Sequence, residues 1–412
     1  MTSLLQQLDD NKRTPQIIEG LFADGPQYGY TASANSEKVG PRFLRITDIQ
    51  GNIVEWNSVP YCKISNSEKA KYLLEKDDLV FARTGATTGM SYFINSDLSE
   101  EAVFASYLIR LRFNSNVCDP RFLKYFFQSR NYWGQVRGSL SGSAQPGINA
   151  VTLSKLVVNL PDLQTQGKIA DILDVYDAKI QNNNLIVQKM ETIAQSILDN
   201  WLMKFHLPGS KQTDYFKSEI GEIPKGWRVG RIKDLVRVES GFPFSSSIFD
   251  NLGKYKLVTI RNVQDGLFAT DCENHVAILP DKLPRHCILD SGDILLSLTG
   301  NVGRICIVSG RDYVLNQRVS VLIPIEERDR AYIYFLFRRK DFQNRLISIS
   351  KGTAQLNLSP VETRDLEIVV PNGAALEKYS KVATPIYNKI VETNDENQKL
   401  KESRDHLLAK LI

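Results

Sequence analysis

Two acidic residues and a lysine stand at a spacing that could act on a phosphodiester. Asp162 is followed further along the chain by Asp177 and Lys179, and a pair of carboxylates can hold Mg²⁺ against a phosphate. The corresponding positions in a second, similar stretch of the chain are Asn372 and Tyr387, so both acids are missing there. Asp162 also stands where it would cap a helix, and Asp177 is expected on the surface of that helix. The sequence therefore disfavours a metal-dependent nuclease.

The motifs of other common enzyme classes are absent from the sequence. It has no G-x-x-x-x-G-K-[ST] phosphate loop, no G-x-G-x-x-G fingerprint, no H-E-x-x-H and no G-x-S-x-G elbow. The four histidines and five cysteines are scattered, and no C-x-x-C pair occurs. We therefore expect a chain that is not itself an enzyme, with no metal site and no cofactor of its own.

Basic residues beside glycine-containing turns indicate a different chemistry, which is contact with phosphate groups. The net charge of +4, from 51 basic and 47 acidic residues, is compatible with nucleic acid but is not diagnostic. The alternative for each residue taken singly is a solvated surface charge. The candidate DNA-binding residues are Arg45, Arg83, Thr84, Gly85, Arg261, Thr299, Gly300, Arg304, Arg318 and Lys351.

The elements that must position these residues occur twice, because the chain repeats one unit of roughly 200 residues. A repeat of this length indicates a duplicated domain and is too long for a solenoid. The offset is 210 at the C-terminal end of the unit and drifts to about 214 upstream, as small loop insertions would produce. The matched stretches are GSAQPGINAVTLSKLVVNLP (142–161) with GTAQLNLSPVETRDLEIVVP (352–371), DDLVFARTGATTG (77–89) with GDILLSLTGNVG (292–303), and LRITDIQG (44–51) with VTIRNVQDG (258–266).

Each copy begins as an α+β globule. Short apolar runs bounded by Gly, Pro or Asp predict buried strands, and the T-G pairs after two of them predict turns. Aromatic-rich amphipathic segments predict short helices. The predicted strands are Leu79–Ala82, Ile294–Ser297 and Val319–Ile323, the turns lie at 84–85 and 299–300, and the short helices lie at 122–127 and 332–337.

A long helix with a coiled-coil spacing follows each globule. Apolar residues alternate at three and four positions for about 35 to 40 residues, or roughly 50 to 60 Å of helix. We expect the two helices to pack on each other and on a docking partner, with Asn183, Thr393 and Asn397 as polar positions that fix the register. The alternative is that each helix folds back on its own globule. The candidate coiled-coil and docking residues are Ile172, Tyr176, Ile180, Val187, Met190, Ile197, Val382, Ile386, Ile390, Leu400 and Leu407.

Composition bounds the class of protein. The 412 residues are 42% hydrophobic and 24% charged, which is ordinary for a globular protein of two to three domains. The N-terminus lacks a signal-like pattern, and no apolar run reaches the roughly 18 to 20 residues of a membrane span, so we expect a cytoplasmic protein. The predicted domains are a first globule at 1–161, a central helix at 162–206, a linker and second globule at 207–371, and a C-terminal helix at 372–412.

These sequence phrases occur in the same order in both copies of the repeat. In this respect the chain resembles the DNA-specificity subunits of type I restriction-modification enzymes. The resemblance covers nearly the whole chain and rests on DDLVFARTG, GDILLSLTGNVG, the GSAQ and GTAQ phrases, the strands LVVNLP and EIVVP, IGEIPKGW at 220–227 and QGKIADILDVYDAKI at 166–180. It implies an α+β fold of two tandem target-recognition domains. Each domain is followed by a long helix, and the two helices form an antiparallel coiled coil with pseudo-two-fold symmetry. The first domain departs from the pattern, since nothing in it corresponds to IGEIPKGW.

The resemblance also implies a function. The subunit would read an asymmetric bipartite site in double-stranded DNA, one half per recognition domain, with the helices as a ruler for the spacer. Two modification subunits, which are adenine methyltransferases that use S-adenosylmethionine, would dock on the helices, and restriction subunits that use ATP and Mg²⁺ would join them. The amphipathic helices also predict self-association of the isolated chain. The rival interpretation is a duplicated scaffold that binds protein partners and no DNA.

Overall fold

A computed structural model gives the structure of the chain. It describes Leu8 and residues 12–50, 53–85, 87–140, 147–209, 214–352 and 355–412. Ala144, Gln145 and Ala354 of the repeated phrase lie outside the described residues. The chain forms two compact units. Unit 1 consists of the described residues up to Ala178 together with Glu402–Ile412, and unit 2 is Lys179–Lys401. No helix among the described residues is both long enough and apolar enough to cross a membrane.

Both units mix short strands with helices. The strands of unit 1 are β1 (Thr14–Ile17), β2 (Phe22–Tyr28), β3 (Arg42–Leu44), β4 (Ile49–Gln50), β5 (Ile53–Val54), β6 (Leu79–Ala82), β7 (Ser91–Phe93), β8 (Ala102–Phe104), β9 (Leu108–Phe113) and β10 (Val157–Leu160). Those of unit 2 are β11 (Tyr215–Ser218), β12 (Gly221–Pro224), β13 (Arg228–Arg231), β14 (Val236–Ser240), β15 (Tyr255–Val258), β16 (His275–Val276), β17 (Ile288–Leu289), β18 (Ile294–Ser297), β19 (Ile305–Ile307), β20 (Tyr313–Leu315), β21 (Val319–Pro324) and β22 (Glu367–Val370). The helices are α1 (Asn66–Tyr72), α2 (Pro120–Phe126), α3 (Arg130–Leu140), α4 (Ala150–Ser154), α5 (Leu163–Leu198), α6 (Arg330–Arg338), α7 (Lys340–Ser348), α8 (Pro360–Asp365) and α9 (Gly373–Leu411).

The main sheet has the same strand order in both units. In unit 1 it is β2-β9-β6-β7 and in unit 2 it is β14-β21-β18-β19, with antiparallel pairing throughout. Every residue of β6 and of β18 is buried, which is why each sequence is a continuous apolar run. The predicted strands at β6 and β18 are confirmed, and β21 extends the third predicted strand by one residue, to Pro324.

The strand that leads into each long helix pairs with the first strand of its own globule. In unit 1, β10 pairs antiparallel with β1, and in unit 2, β22 pairs antiparallel with β13. The first domain therefore has a counterpart of β13, although Thr14–Ile17 shares no residue with Arg228–Arg231 in register. Among the described residues, unit 2 also has a hairpin of β11 and β12 that precedes β13.

The two predicted short helices are confirmed as α2 and α6. Their aromatic residues enter the core, since Phe122, Tyr125 and Phe126 in α2 and the whole of Ala331–Phe337 in α6 are buried. In unit 2, the Tyr334 ring packs edge-on against Tyr387 of α9, with centroids 5.6 Å apart. Each short helix therefore links the core of its globule to a long helix through packing contacts.

The long helices α5 and α9 contain 36 and 39 residues. They contact each other in both units. In unit 1, Asp177 of α5 forms an ion pair with Arg404 of α9 at 2.9 Å, and in unit 2, Asn183 of α5 donates to Asn397 of α9 at 2.9 Å. Each of these contacts lies within one unit, and the antiparallel coiled coil stays a prediction.

The helices also pack on the globules, so both arrangements considered for them occur together. In unit 1, Ile169 and Leu173 of α5 and Leu407 and Leu411 of α9 belong to the core of the globule. In unit 2, the core contains Val187, Ala194 and Leu198 of α5 and six residues of α9. Each long helix therefore contributes apolar residues to the core of unit 1 and to the core of unit 2. The spacing of apolar residues in its sequence does not reveal this division.

Candidate nucleic-acid interface

A T-G turn follows the central buried strand of each unit. Gly85 has φ +79° and Gly300 has φ +73°, a left-handed conformation that favours glycine. Thr84 forms an antiparallel bridge with Gly147, and Thr299 forms one with Asn357, which lies 210 positions after Gly147. Each turn is thereby held beside the residues that follow the GSAQ or GTAQ phrase. This arrangement is the same in both units.

Around the turn of unit 2 the structure brings together several predicted residues. The Thr299 hydroxyl donates to Oδ1 of Asn357 at 2.8 Å, and the backbone of Asn357 also bridges Lys351, whose side chain forms an ion pair with Glu362. The carbonyl of Arg318 accepts from the amide of Leu298 at 3.2 Å. The Arg318 side chain is exposed and has no ion-pair partner among the described residues. One turn thus gathers Thr299, Gly300, Arg318 and Lys351.

Arg261 and Arg304 form a second group of residues beside that turn. The side chain of Gln264 hydrogen-bonds to both of them. The Gln264 side-chain amide donates to the Arg261 carbonyl at 2.7 Å, and its Oε1 accepts from Arg304. A Cβ at Gly300 would lie 3.7 Å from Cδ1 of Ile260, the neighbour of Arg261. Gln264 had been missed, although its place in the repeated segments DIQG and NVQDG was a signal that could have identified it.

In unit 1 the predicted residues divide between two places. Arg83 lies at the turn beside Thr84 and Gly85, with its guanidinium over the Tyr28 ring at 5.0 Å from the centroid. Arg45 instead lines a concave surface with Arg42, where it forms a bidentate pair with Asp48 at 3.0 and 2.7 Å. Arg42, which stacks on Tyr61 at 4.3 Å, is a basic residue of this surface that no sequence signal had indicated.

Most of the predicted docking residues are used inside the chain. Ile180, Val187, Ile390 and Leu407 are buried, at 1 to 9% exposed. Ile172 and Tyr176 pack on the core of unit 1, Met190, Ile197 and Ile386 pack on the core of unit 2, and Leu400 is half-buried. Only Val382 is substantially exposed among them, at 37%. The most exposed large apolar side chains described in α5 are Val175, Leu185 and Ile193, at 69, 50 and 53%.

The sequence model for the type I restriction modification DNA specificity domain matches the chain twice, at residues 32–192 and 224–402. The chain belongs to this family. The resemblance stated from the repeated phrases is therefore confirmed, and so is the α+β fold of two domains with long helices. The two matches correspond to the two copies of the repeat.

Curated relatives of this specificity family are similar over most of their length. The type I restriction enzyme HindI specificity subunit of Haemophilus influenzae is 24% identical over 86% of this chain and 91% of its own. The MjaIX specificity subunit of Methanocaldococcus jannaschii is 26% identical over 71% of this chain and 68% of its own. A crystal structure of the S subunit from M. genitalium shares the fold, with a TM-score of 0.53 at 15% identity over 98% of this chain and 96% of that one.

In this member of the specificity family the acid pair first considered for catalysis has structural partners. Asp162 accepts from the amide and the hydroxyl of Thr165 at 2.9 and 2.7 Å, which caps α5. Asp177 forms ion pairs with Lys124 and Arg404 at 2.8 and 2.9 Å, and the Tyr125 hydroxyl lies 2.8 Å from its Oδ2. Asp177 was expected on an open helix surface, but only 25% of its side chain is exposed.

Proposed function

We propose that the chain is the sequence-reading subunit of a type I restriction-modification complex and binds an asymmetric bipartite site in double-stranded DNA. Each unit reads one half-site. The observation that carries this proposal is the shared T-G turn, which is built by the same bridges in both units but has Arg83 before it in unit 1 and Leu298 in unit 2. A common frame with different side chains is what two related readers of different sequences require.

The chemistry around the turns suits DNA. Arg and Lys side chains neutralise phosphates and set the register on the duplex, while side chains that reach base edges in the major groove give sequence preference. Arg318 supports this role because its side chain is exposed beside the turn and has no ion-pair partner among the described residues. Lys351 and Arg83 supply further positive charge near the two turns.

The long helices serve two further roles in this proposal. As continuous elements of 36 and 39 residues, they hold the two readers at a set distance, which fixes the length of the spacer. Their exposed apolar side chains bind two modification subunits, which methylate adenine with S-adenosylmethionine, and restriction subunits that use ATP and Mg²⁺ join the complex. No cofactor is bound by this chain itself.

The test of sequence reading is a genome-wide map of methylated adenine in cells that express the chain with its cognate modification subunit. We expect a bipartite motif with a fixed gap that disappears when the chain is omitted. An active modification subunit with no motif that depends on this chain would contradict the proposal and leave the protein-scaffold alternative. Binding to duplex DNA should also weaken steeply with salt, because each neutralised phosphate releases counterions.

The docking role has its own test in unit 2. Leu185 and Ile193 are eight residues apart, on one side of α5, and both are about half exposed. The double variant L185E/I193E should no longer assemble with the modification subunit on gel filtration, while its melting temperature stays near that of the wild type. Leu252 and Ile278 are exposed apolar residues of unit 2 outside α5, at 95 and 81% exposed, and L252E/I278E is the matched control, which should still assemble. An intact complex with L185E/I193E would place the docking surface elsewhere.

A further inference from the structure

A short turn in each unit has the same internal hydrogen bonds. In unit 1 the amide of Arg45 donates to Oδ2 of Asp48 at 2.8 Å, and in unit 2 the amide of Thr259 donates to Oδ1 of Asn262 at 2.9 Å. The return bonds, from the amide of the fourth residue to the carbonyl of the first, are both 3.0 Å long. The next residue is buried in both units, at 1% exposed for Ile49 and 0% for Val263. The turn is therefore a shared frame.

The exposed third residue of this frame differs between the units. It is Thr47 in unit 1 and Arg261 in unit 2, and both side chains are exposed. In unit 1 the arginine of the turn is instead Arg45, whose guanidinium is tied to Asp48 of the frame. A difference confined to an exposed side chain on a common backbone changes what the surface can recognise without changing the fold.

Arg261 is available to a ligand. Its side chain is 77% exposed, and it forms an ion pair of 2.6 Å with Glu273, which is itself 66% exposed. Exposed ion pairs of this kind contribute only about 0 to 1 kcal/mol, so this pair opens easily. A guanidinium presents two parallel N–H donors, and the major-groove edge of guanine presents two acceptors, O6 and N7, at the matching spacing.

Gln264 and Arg304 hold the backbone that carries Arg261. The side-chain amide of Gln264 donates to the Arg261 carbonyl at 2.7 Å, and Arg304 donates to Oε1 of the same amide. The amide is thus used at both ends and has one orientation. One arm of the Arg304 guanidinium is directed into the protein, toward the loop, which is the geometry of a positioning residue.

The loop is also anchored to the body of unit 2. Asp265 accepts from Lys340 at 2.5 Å and from Gln343 at 2.8 Å, and it forms an ion pair with Arg338. Burial alone would raise the pKa of Asp265, but the bond from Lys340 and the charge of Arg338 outweigh it and lower the pKa below its usual value. The ionised carboxylate therefore keeps its partners at neutral pH, so Arg261 projects from a fixed backbone.

We propose that Arg261 recognises a guanine in the half-site read by unit 2, and that Gln264 and Arg304 are positioning residues that act through its backbone. This inference rests on the proposed function and deepens it, because it names a base and the residue that selects it. It also separates Arg261 and Arg304 from the phosphate contacts, since a phosphate contact needs neither a defined orientation nor a rigid loop.

The experiment compares methylated-adenine maps of the wild type, R261A and R261K, each expressed with its cognate modification subunit. We expect R261A to lower the preference for one guanine in one half-site by roughly tenfold or more, with the other half-site and the spacer unchanged. R261K keeps the charge but not the fork of two donors, so it should lose the guanine preference while the overall level of methylation is retained. Q264A should weaken the preference at the same guanine to a smaller extent.

The matched control is R285A. Arg285 is also an exposed arginine of unit 2, 70% exposed and paired at 2.7 Å with an exposed acid, Asp290, and its removal should leave the motif unchanged. The inference is overturned if R261A lowers methylation equally at all sequences while R261K restores it, because that is the behaviour of a phosphate contact. It is also overturned if the relaxed position is not a guanine. A wild type without a bipartite motif would instead refute the proposed function.

Discussion

The side-chain amide of Asn183 on α5 donates to Oδ1 of Asn397 on α9 at 2.9 Å, and the two residues are only 2 and 5% exposed. The same amide donates to Oε2 of Glu396 at 2.9 Å, and Asn397 in turn donates to Oδ1 of Asn184 at 2.9 Å. Buried amides that pair with each other across two helices are satisfied in only one register. This pair therefore selects one alignment of α5 with α9 in unit 2.

Removal of one partner should cost more than removal of both. N183A leaves the Asn397 carbonyl without its donor, and we expect a loss of about 1 to 3 kcal/mol in the free energy of unfolding of unit 2. N183L/N397L should lose less than the sum of the two single leucine variants, because neither amide is left unpaired. Urea denaturation measures these values, with Q188A at an exposed position of the same helix as control. Strictly additive losses would contradict the pairing.

Asp177 should make the stability of unit 1 sensitive to acid. Burial alone would raise the pKa of Asp177, but Lys124 and Arg404 outweigh burial and lower the pKa below its ordinary value. A depressed pKa in the folded state contributes stability that is complete above the unfolded-state pKa, about 3.9. That stability is lost as the pH falls through the lower folded-state value. The difference in melting temperature between wild type and D177N should thus be large at neutral pH and should close in acid.

Asp171 offers a comparison for this effect on the same helix. It forms an ion pair with Arg121 at 2.7 Å, but its side chain is 67% exposed, so solvent screens the pair. D171N should melt close to the wild type at every pH. If D177N and D171N gave the same small difference across the range, the partly buried network around Asp177 would not be a source of stability.

Replacement of glycine by alanine should change the stability in opposite directions at Gly85, which lies in a left-handed turn, and at Gly134, which lies in a helix. Both glycines belong to unit 1, and a Cβ on either meets nothing within 4 Å, so packing does not distinguish them. Gly85 has φ +79°, and G85A should cost about 1 to 2 kcal/mol. Gly134 lies inside α3, and G134A should gain about 0.5 to 1 kcal/mol. Thermal melting checks both, and a neutral G85A would contradict the strain argument.

Features of the fold with a local cause could be predicted from the sequence. The strands β6 and β18 are apolar because both faces are buried, and Gly85 and Gly300 are glycines because the turn needs positive φ. The helices α5 and α9 showed their period over ten turns, and Asn183 was picked out as a polar position in it. Such patterns depend on residues that are close in the sequence. Their occurrence in both copies of the repeat strengthened the predictions.

Features with a distant cause could not be predicted. The role of Thr14–Ile17 depends on its pairing with β10, 140 to 146 residues away, and its sequence keeps no likeness to β13. Asp177 was expected on an open surface because its partners, Lys124 and Arg404, come from two other helices. The apolar positions of the long helices were predicted to form a seam between the helices and a docking surface, because the period of a helix cannot reveal whether its cover is another helix, a globule or a partner.

The proposed ruler predicts that longer helices lengthen the spacer, and the structure identifies where they must be lengthened. Helix α5 passes from unit 1 to unit 2 after Ala178, and α9 passes back after Lys401. Insertions at these two points leave the contacts within each unit, Asp177 with Arg404 and Asn183 with Asn397, in place. Four residues inserted after both Ala178 and Lys401 add about 6 Å, and the motif mapped from methylated adenine should gain one or two base pairs of spacer. Insertion after Ala178 alone is the control, and it should disrupt assembly because it lengthens one helix and not the other. An assembled double-insertion complex that methylates the original spacing would refute the ruler while leaving the reading of half-sites intact.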